Sequence, residues 1–283
     1  MSGVVPLPIT LRRFSARRFR GPMARGLNAP FLVSAIEEGS DELVSLVVKC
    51  HAGYDDRPEC LVREMFALIL ARELGLATVE PVVVDLPEGF EYGAGDYKSH
   101  RGRNYPEMIE QSRGWNFATV HLGADWKQWL NTAPPQSVGK EEINAAFSYD
   151  GMVQNADRQG DNPNLLWRED RLVLLDFDKA FAYCSQQGGE EKPWRKFLPM
   201  MQLERHCLFP FLKQGEGGSL CDWLWEHWEE WQLERGCAPI TEAIETGLAS
   251  SPLDFAEILT YLSKLAGGMD DFFGYLTAHA KPS

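Results

Sequence analysis

The sequence predicts an α+β fold in two parts: a mostly antiparallel β-sheet with one helix over residues 1–122, and a mainly helical part over residues 123–283. Three observations predict it. Strand-like apolar runs dominate the first 122 residues and are interrupted by one helical repeat; helical patterns dominate beyond Lys140; and a polar, turn-rich segment carrying a short hairpin is embedded among those helices.

The first strand lies in an arginine-rich start. Residues 1–30 hold Arg12, Arg13, Arg17, Arg18, Arg20 and Arg25 and no acidic residue. These read first as solvent-facing positions of a strand, with contact to nucleotide phosphates or an acidic partner as the sharper alternative, above all for Arg25. Gly21 to Pro30 reads as a turn before the strand Phe31 to Ala35, and Glu42 to Cys50 is a further β-rich run ending in Val47-Val48-Lys49-Cys50. After a polar turn, His51 to Arg57, apolar residues at Leu61, Met65, Leu68 and Ile69 repeat with helical spacing from Glu59 to Leu74. Gly75 is positioned to cap that helix, and Val79 to Leu86 is the next strand.

Pro87 to Arg113 is a long polar stretch, read as a substrate-binding insertion or a flexible excursion, and Asn116 to Leu122 is a strand after it. A helix follows over Lys140 to Val153, then the hairpin Asn164 to Trp167 and Arg171 to Leu175 around the turn Arg168-Glu169-Asp170. Beyond Trp194 helices are expected over Leu220 to Arg235, Ile240 to Leu248, Ser251 to Leu265 and Met269 to Ala280. Trp225, Trp228 and Trp231 recur every third residue, a stripe that fits helix packing better than a binding cage.

Composition narrows the function classes. With 44% hydrophobic and 24% charged residues over 283 positions, the chain can bury a sizeable core and is not globally disordered. A net charge of −13 argues against general binding of nucleic-acid phosphates. No apolar run approaches the ~20 residues of a membrane span, and the start lacks the apolar core of a secretory signal, so a cytoplasmic location is expected. Six scattered cysteines without a Cys-x-x-Cys pair suggest reduced, mostly buried thiols rather than a zinc site or a disulfide framework. His206, His227 and His279 read as surface or packing residues of helical segments.

The segment from Gln154 to Asp178 carries the chemistry. It sets Asp157, then Asn162 five residues on, then Asp176 after the hairpin, which is the order in which protein kinases place a catalytic base and two metal ligands. A hydroxyl attacking the terminal phosphate of ATP needs a carboxylate to orient it and take its proton, which suits Asp157. Mg²⁺ prefers oxygen ligands, which the Asn162 amide and the Asp176 carboxylate supply. Asp178 reads as a second ligand or a loop carboxylate, and Asp161 as a solvent-facing neighbour. Upstream, the strand, helix, strand order matches the nucleotide side of the same machinery. There Lys49 would contact phosphates and Glu64, in mid-helix, would hold that lysine, with Glu59 and Glu73 as alternatives. Gly26 and nearby backbone amides are a weaker phosphate-loop candidate, because no Gly-x-Gly-x-x-Gly is present.

Taken together the chain resembles the HipA-like kinase family, a branch of the bilobal protein-kinase-like fold. The residues that carry the resemblance are Arg25-Gly26-Leu27-Asn28-Ala29-Pro30, Val47-Val48-Lys49, Glu64 within Arg63-Glu64-Met65, Leu74-Gly75-Leu76, Asn155-Ala156-Asp157-Arg158 through Asn162-Pro163-Asn164-Leu165-Leu166, and Leu175-Asp176 with Ala180-Phe181. The resemblance implies a serine/threonine kinase using ATP and Mg²⁺, with Asp157 catalytic, Asn162 and Asp176 on the metal, Lys49 on the phosphates and Glu64 as the partner of Lys49. It also implies an antitoxin-like protein partner, and the chain is expected to be a kinase domain without HipA's additional amino-terminal region. Asn155 and Ala156 stand where many protein kinases have His and Arg, so no cation is supplied there to grip a phosphorylated loop, and activity is expected not to need one. Two other readings stand beside this one: a small-molecule or lipid kinase with the same layout, suggested by the short segment from Asp176 to Pro193, and a catalytically weak nucleotide-binding interaction module.

Overall fold

Alternation of apolar and polar residues builds the amino-terminal sheet. The computed structural model describes residues 10–23, 26, 28–54, 59–92, 98, 102–130, 138–186, 189–212, 220–228, 231–245 and 252–280. Arg25 and Leu27 of the matching segment, residues 55–57 of the polar turn, residues 93–97 and 99–101 of the long polar stretch, and residues 246–248 of an expected helix lie outside them. The chain is a mixture of helices and strands that divides into two compact units, residues 1–61, 79–122 and 238–250 in one and residues 62–78, 123–237 and 251–283 in the other.

In the first unit, strands β1 (Arg13–Pro22), β2 (Phe31–Glu37), β3 (Leu43–Lys49), β4 (Pro81–Leu86) and β5 (Gly114–Val120) close into a small barrel with neighbour order β1-β2-β3-β5-β4. The mostly antiparallel sheet expected from sequence is closed into a barrel by one parallel pairing, Arg13 with Val83 through Ser15 with Asp85. Closure leaves no unpaired edge, and the near-continuous burial of β4 follows from strands on both sides and apolar contact on both faces. Phe14, Ala16, Phe31, Val33, Ala35, Leu46, Val48, Val82, Val84 and Ala118 face inward and form the core. Register shifts between Ala16 and Arg18 and between Phe19 and Gly21 bend β1.

Part of the polar stretch has structure of its own. Helix α2 spans Tyr105–Gln111 and starts with Pro106 in its first turn, where a missing N–H costs nothing. It lays Tyr105, Met108 and Ile109 onto the barrel core, and the Tyr105 hydroxyl donates to the Pro30 carbonyl at 3.3 Å.

Helix α1 (Glu59–Glu73) groups with the second unit from Val62 onward. Within that unit Phe66 packs on Phe181 and Phe255, and the Tyr149 hydroxyl donates to the Ala67 carbonyl. Gly75, with φ +77°, ends the helix as expected: the Leu76 N–H reaches back to the Ala71 carbonyl at 2.9 Å. The rest of the unit comprises β6 (Lys127–Gln128), helix α3 (Lys140–Met152), the hairpin β7 (Leu165–Arg168) and β8 (Arg171–Leu174), and helices α4 (Trp194–Met200), α5 (Asp222–His227), α7 (Pro252–Ala266) and α8 (Met269–His279). Helix α6 (Trp231–Glu245) runs through Pro239.

The helix expected over Leu220 to Arg235 is broken at Trp228, which caps α5 in extended conformation. The tryptophans therefore do not form one stripe: Trp225 lies on α5 and meets the ring of Phe273, and Trp231 opens a separate helix. All six cysteines are free thiols and five are buried. No helix among the described residues is long and apolar enough to cross a membrane.

Candidate active site

The second unit assembles the downstream half of the expected site. Helix α3 ends at Met152, and Gln154 (φ +57°) turns the chain so that the Asn155 N–H returns to the Asp150 carbonyl at 2.8 Å. The next residues form a loop folded on itself by Gln159 N–H to Asp157 O at 2.8 Å and Asn162 N–H to Gln159 O at 3.0 Å. The β7–β8 hairpin, registered Leu165 with Leu174 through Arg168 with Arg171, then brings the chain back, and the Leu175 N–H donates to the Asn164 carbonyl at 3.2 Å. That return sets Asp176 beside the loop.

The side chains converge accordingly. The Asn162 Nδ2–H donates to Asp157 Oδ2 at 2.8 Å, which leaves the amide oxygen of Asn162 to serve as a ligand. The Asp157 carboxyl is pushed up to about 6, first by burial and then by the negative charges of Asp178 and Asp176, with Lys179 and the Asn162 hydrogen bond acting in the opposite direction. The charges of Asp176 and Asp178 thus act on the Asp157 carboxyl. A divalent cation there would offset that repulsion, and the carboxylate and amide oxygens present suit Mg²⁺, which is typically held by one or two carboxylates together with substrate phosphates. No group of three or more His, Cys, Asp or Glu among the described residues is arranged to hold a metal ion by itself. Asp176 adopts the left-handed region at φ +58°, as does Asn164 at φ +45°, conformations that persist in non-glycine residues where the surroundings enforce them.

The upstream candidates divide between the units. Lys49 is the half-buried last residue of β3, paired with Phe117 of β5, and belongs to the first unit. The chain after it is pinned by the His51 N–H to Asn116 Oδ1 at 3.1 Å and the Ala52 N–H to Ser112 Oγ at 3.0 Å. Gly26 is in the same unit, and its identity is forced: φ is +123°, and a Cβ would stand 2.6 Å from Pro30 Cδ. Glu64 is buried in α1 within the second unit. Asp157, Asn162 and Asp176 are thus brought together in one unit with Asp178, while Lys49 and Gly26 are in the other.

Sequence reasoning missed a buried charged cluster beneath the loop. Arg158, with no exposed side-chain surface, donates through Nε to Asp150 Oδ2 at 2.5 Å and through Nη2 to Asp150 Oδ1 at 3.3 Å. Its Nη1 donates to the carbonyls of Pro163 (3.3 Å), Asn164 and Leu175 (3.3 Å), and its guanidinium lies over the Phe177 ring at 4.9 Å. Asp150 also accepts from Asn155 Nδ2 at 2.8 Å and contacts His206 Nε2 at 3.0 Å. Because the Leu208 N–H donates to His206 Nδ1 at 3.1 Å, the ring proton is on Nε2 and His206 is neutral. Burial accordingly lowers the His206 pKa although Asp150 opposes that. Burial alone would raise Asp150; the Arg158 charge and then the His206 contact outweigh it and lower it. His206 is a buried member of this cluster beside a short 3₁₀ turn, rather than a residue of a regular helix. The available signal was a charged residue next to Asp157 in a segment flanked by apolar runs, together with an acid eight positions earlier inside an apolar helix.

A family model described as HipA-like kinase matches residues 18–190, more than half of the chain. A solved structure, the proinflammatory kinase CtkA of Helicobacter pylori, aligns with a TM-score of 0.45 at 13% identity, covering 88% of this chain and 94% of that one. No curated protein sequence gives a significant match.

Proposed function

The chain belongs to the HipA-like kinase family, and from that premise we propose that it is an ATP- and Mg²⁺-dependent kinase acting on a serine or threonine hydroxyl of a protein. The observation that carries the reading is Asp157, held by Asn162 at 2.8 Å and close enough to Asp176 and Asp178 for their charges to act on it. In this reading the chain is a bilobal cytoplasmic kinase, with residues 1–122 on the nucleotide side and residues 123–283 carrying the base and metal ligands.

The acceptor oxygen bonds to the terminal phosphorus, the bond from that phosphorus to the bridging oxygen breaks, ADP leaves, and the hydroxyl proton passes to Asp157. A raised pKa makes Asp157 a better proton acceptor while leaving it mostly ionised at neutral pH. Asn162 fixes the rotamer of that carboxylate through its amide N–H. Mg²⁺ bound by Asn162 and Asp176 would supply compensation for the charge on the phosphate oxygens. Lys49 would contact the α and β phosphates, and Gly26 would allow close approach to the phosphates, a role suited to a residue without Cβ.

Incubation with labelled ATP, Mg²⁺ and candidate proteins is expected to give label transfer or autophosphorylation that disappears in Asp157→Ala and Asp176→Ala. Thermal stabilisation by Mg·ATP with no turnover would contradict the reading and favour a binding module. Lys49→Ala is expected to weaken ATP use in a folded protein, and unchanged kinetics would remove Lys49 from the site.

A second reading, transfer to a small-molecule or lipid hydroxyl, is favoured by one observation. The chain after Asp176 folds back at once, with Phe177, Ala180 and Phe181 buried and the Phe181 N–H on the Val153 carbonyl at 2.6 Å. Little chain remains before α4 to dock a peptide. An acceptor panel of peptides, aminoglycosides and inositol lipids separates the two.

A further inference from the structure

We propose that Arg158 is the positioning residue of this site, a single guanidinium that locks the segment carrying the base and the segment carrying the metal ligand into one unit. The inference rests on the assignment of Asp157, Asn162 and Asp176 made above.

Pro163 and Asn164 directly follow Asn162, and Leu175 directly precedes Asp176; their three carbonyls converge on one nitrogen, Nη1. One donor group thus ties the chain after Asn162 to the chain before Asp176, alongside the Leu175 N–H to Asn164 carbonyl bond at the base of the hairpin. The other side of the guanidinium is a two-point contact with Asp150, so the fork is anchored to α3, and α3 is held in turn by the buried faces of Ile143, Ala146, Phe147 and Tyr149. A planar guanidinium can span a carboxylate on one edge and carbonyls on another; an ammonium is a point charge and cannot do both.

Backbone conformation points the same way. Asn164 and Asp176 both sit in the left-handed region, and each is a neighbour of, or itself provides, a carbonyl that Arg158 binds. Without that clamp both residues have reason to relax toward negative φ, which would re-aim Asp176 relative to Asn162. All three guanidinium nitrogens already have partners inside the fold. Arg158 is therefore engaged within the fold, and its side chain has no exposed surface to offer a phosphorylated loop.

The test measures phosphoryl transfer against Mg²⁺ concentration for wild type, Arg158→Lys and His206→Ala. His206→Ala strips a contact from the same Asp150 carboxylate but leaves the three carbonyl contacts intact, so it controls for loss of stability alone. Both variants are expected to melt at lower temperature. Only Arg158→Lys is expected to raise the Mg²⁺ concentration for half-maximal rate, by roughly 10-fold or more, the usual range for groups that orient metal ligands. An unchanged Mg²⁺ requirement in Arg158→Lys, or an equal shift in His206→Ala, would overturn the proposal.

Should Arg158→Lys fail to fold, hydrogen exchange on the wild-type protein decides. Amides of residues 157–165 and 175–178 are expected to open together with one free energy, and separate opening of the two segments would overturn the clamp. Failure of the underlying assignment has a different signature, because Asp176→Ala would then transfer phosphate as well as wild type.

Discussion

The barrel of the first unit and the loop of the second solve the same problem, holding chain in a fixed place, by opposite means. The barrel interior is apolar: Phe14, Phe31, Val33, Val48, Val84 and Ala118 are fully or almost fully buried and need only shape to fit. Beneath the loop, Asp150, Asn155, Arg158 and His206 are buried with their hydrogen bonds satisfied inside the protein. An apolar core tolerates small sliding and repacking, whereas a saturated polar cluster has one geometry in which all partners are met. The loop that carries Asp157, Asn162 and Asp176 rests on the second kind of support.

Two substitutions of similar cost sharpen this contrast. Phe31→Ala empties the barrel core and is expected to destabilise the fold by about 3–5 kcal/mol. Asp150→Asn leaves the buried Arg158 cation without its counter-charge and is expected to cost about 3–5 kcal/mol as well. Chemical denaturation measures both. At a temperature where both are folded, only Asp150→Asn should alter the Mg²⁺ requirement of phosphoryl transfer. A shift of similar size in Phe31→Ala would erase the distinction between the two regions.

Gly26→Ala is a smaller and more local perturbation. The added Cβ meets Pro30 in a turn whose φ is +123°, so a cost of about 1–3 kcal/mol is expected. Its readout is nucleotide affinity: ATP binding should weaken while the Mg²⁺ dependence of the rate at saturating ATP stays as in wild type. Equal nucleotide affinity in the variant would detach Gly26 from the site.

The weakest expected effect is on pH. The unfolded chain protonates His206 below about pH 6.5, whereas the folded chain resists that proton because the ring is buried and its Nδ1 is already an acceptor. The unfolded state thus binds more protons, so this contribution to stability is intact above that pH and declines as pH falls below it, by at most about 1.4 kcal/mol per unit. Asp150, lowered in the fold, acts in the same direction further down, below about pH 3.9. Melting temperatures measured from pH 7 to 5 should fall less steeply in His206→Gln than in wild type, and parallel curves would contradict the assignment of a neutral His206.

Much of this was legible in the sequence, for reasons that track the same contrast. Phe31, Val33 and Ala35 alternate, and Leu61, Met65, Leu68 and Ile69 recur with helical period, because burial on one face imprints a period on the chain. Gly75 was legible as a cap because a left-handed cap position selects glycine. That Asp157, Asn162 and Asp176 come near one another was legible from a short turn-rich loop followed by a hairpin that returns the chain. The barrel closure could not be read, since pairing Arg13–Ser15 with Val83–Asp85 depends on contacts some 70 residues apart that leave no local period. Helix α2 was hidden by the polar surroundings of Tyr105 to Gln111. The break at Trp228 was masked by apolar spacing that continues across it. Arg158 was visible as a residue but not as a clamp, because its partners at 150, 163, 164 and 175 share no spacing rule.

The most direct measurement is single-turnover phosphoryl transfer as a function of Mg²⁺ for wild type, Asp157→Asn and Asp176→Asn. Asp176→Asn is expected to raise the Mg²⁺ concentration needed for half-maximal rate. Asp157→Asn is expected to lower the rate at saturating Mg²⁺ by roughly 100-fold or more, with the Mg²⁺ requirement little changed, as befits loss of a proton acceptor. Wild-type rates and Mg²⁺ dependence in both variants would contradict the assignment of base and metal ligand on which the account stands.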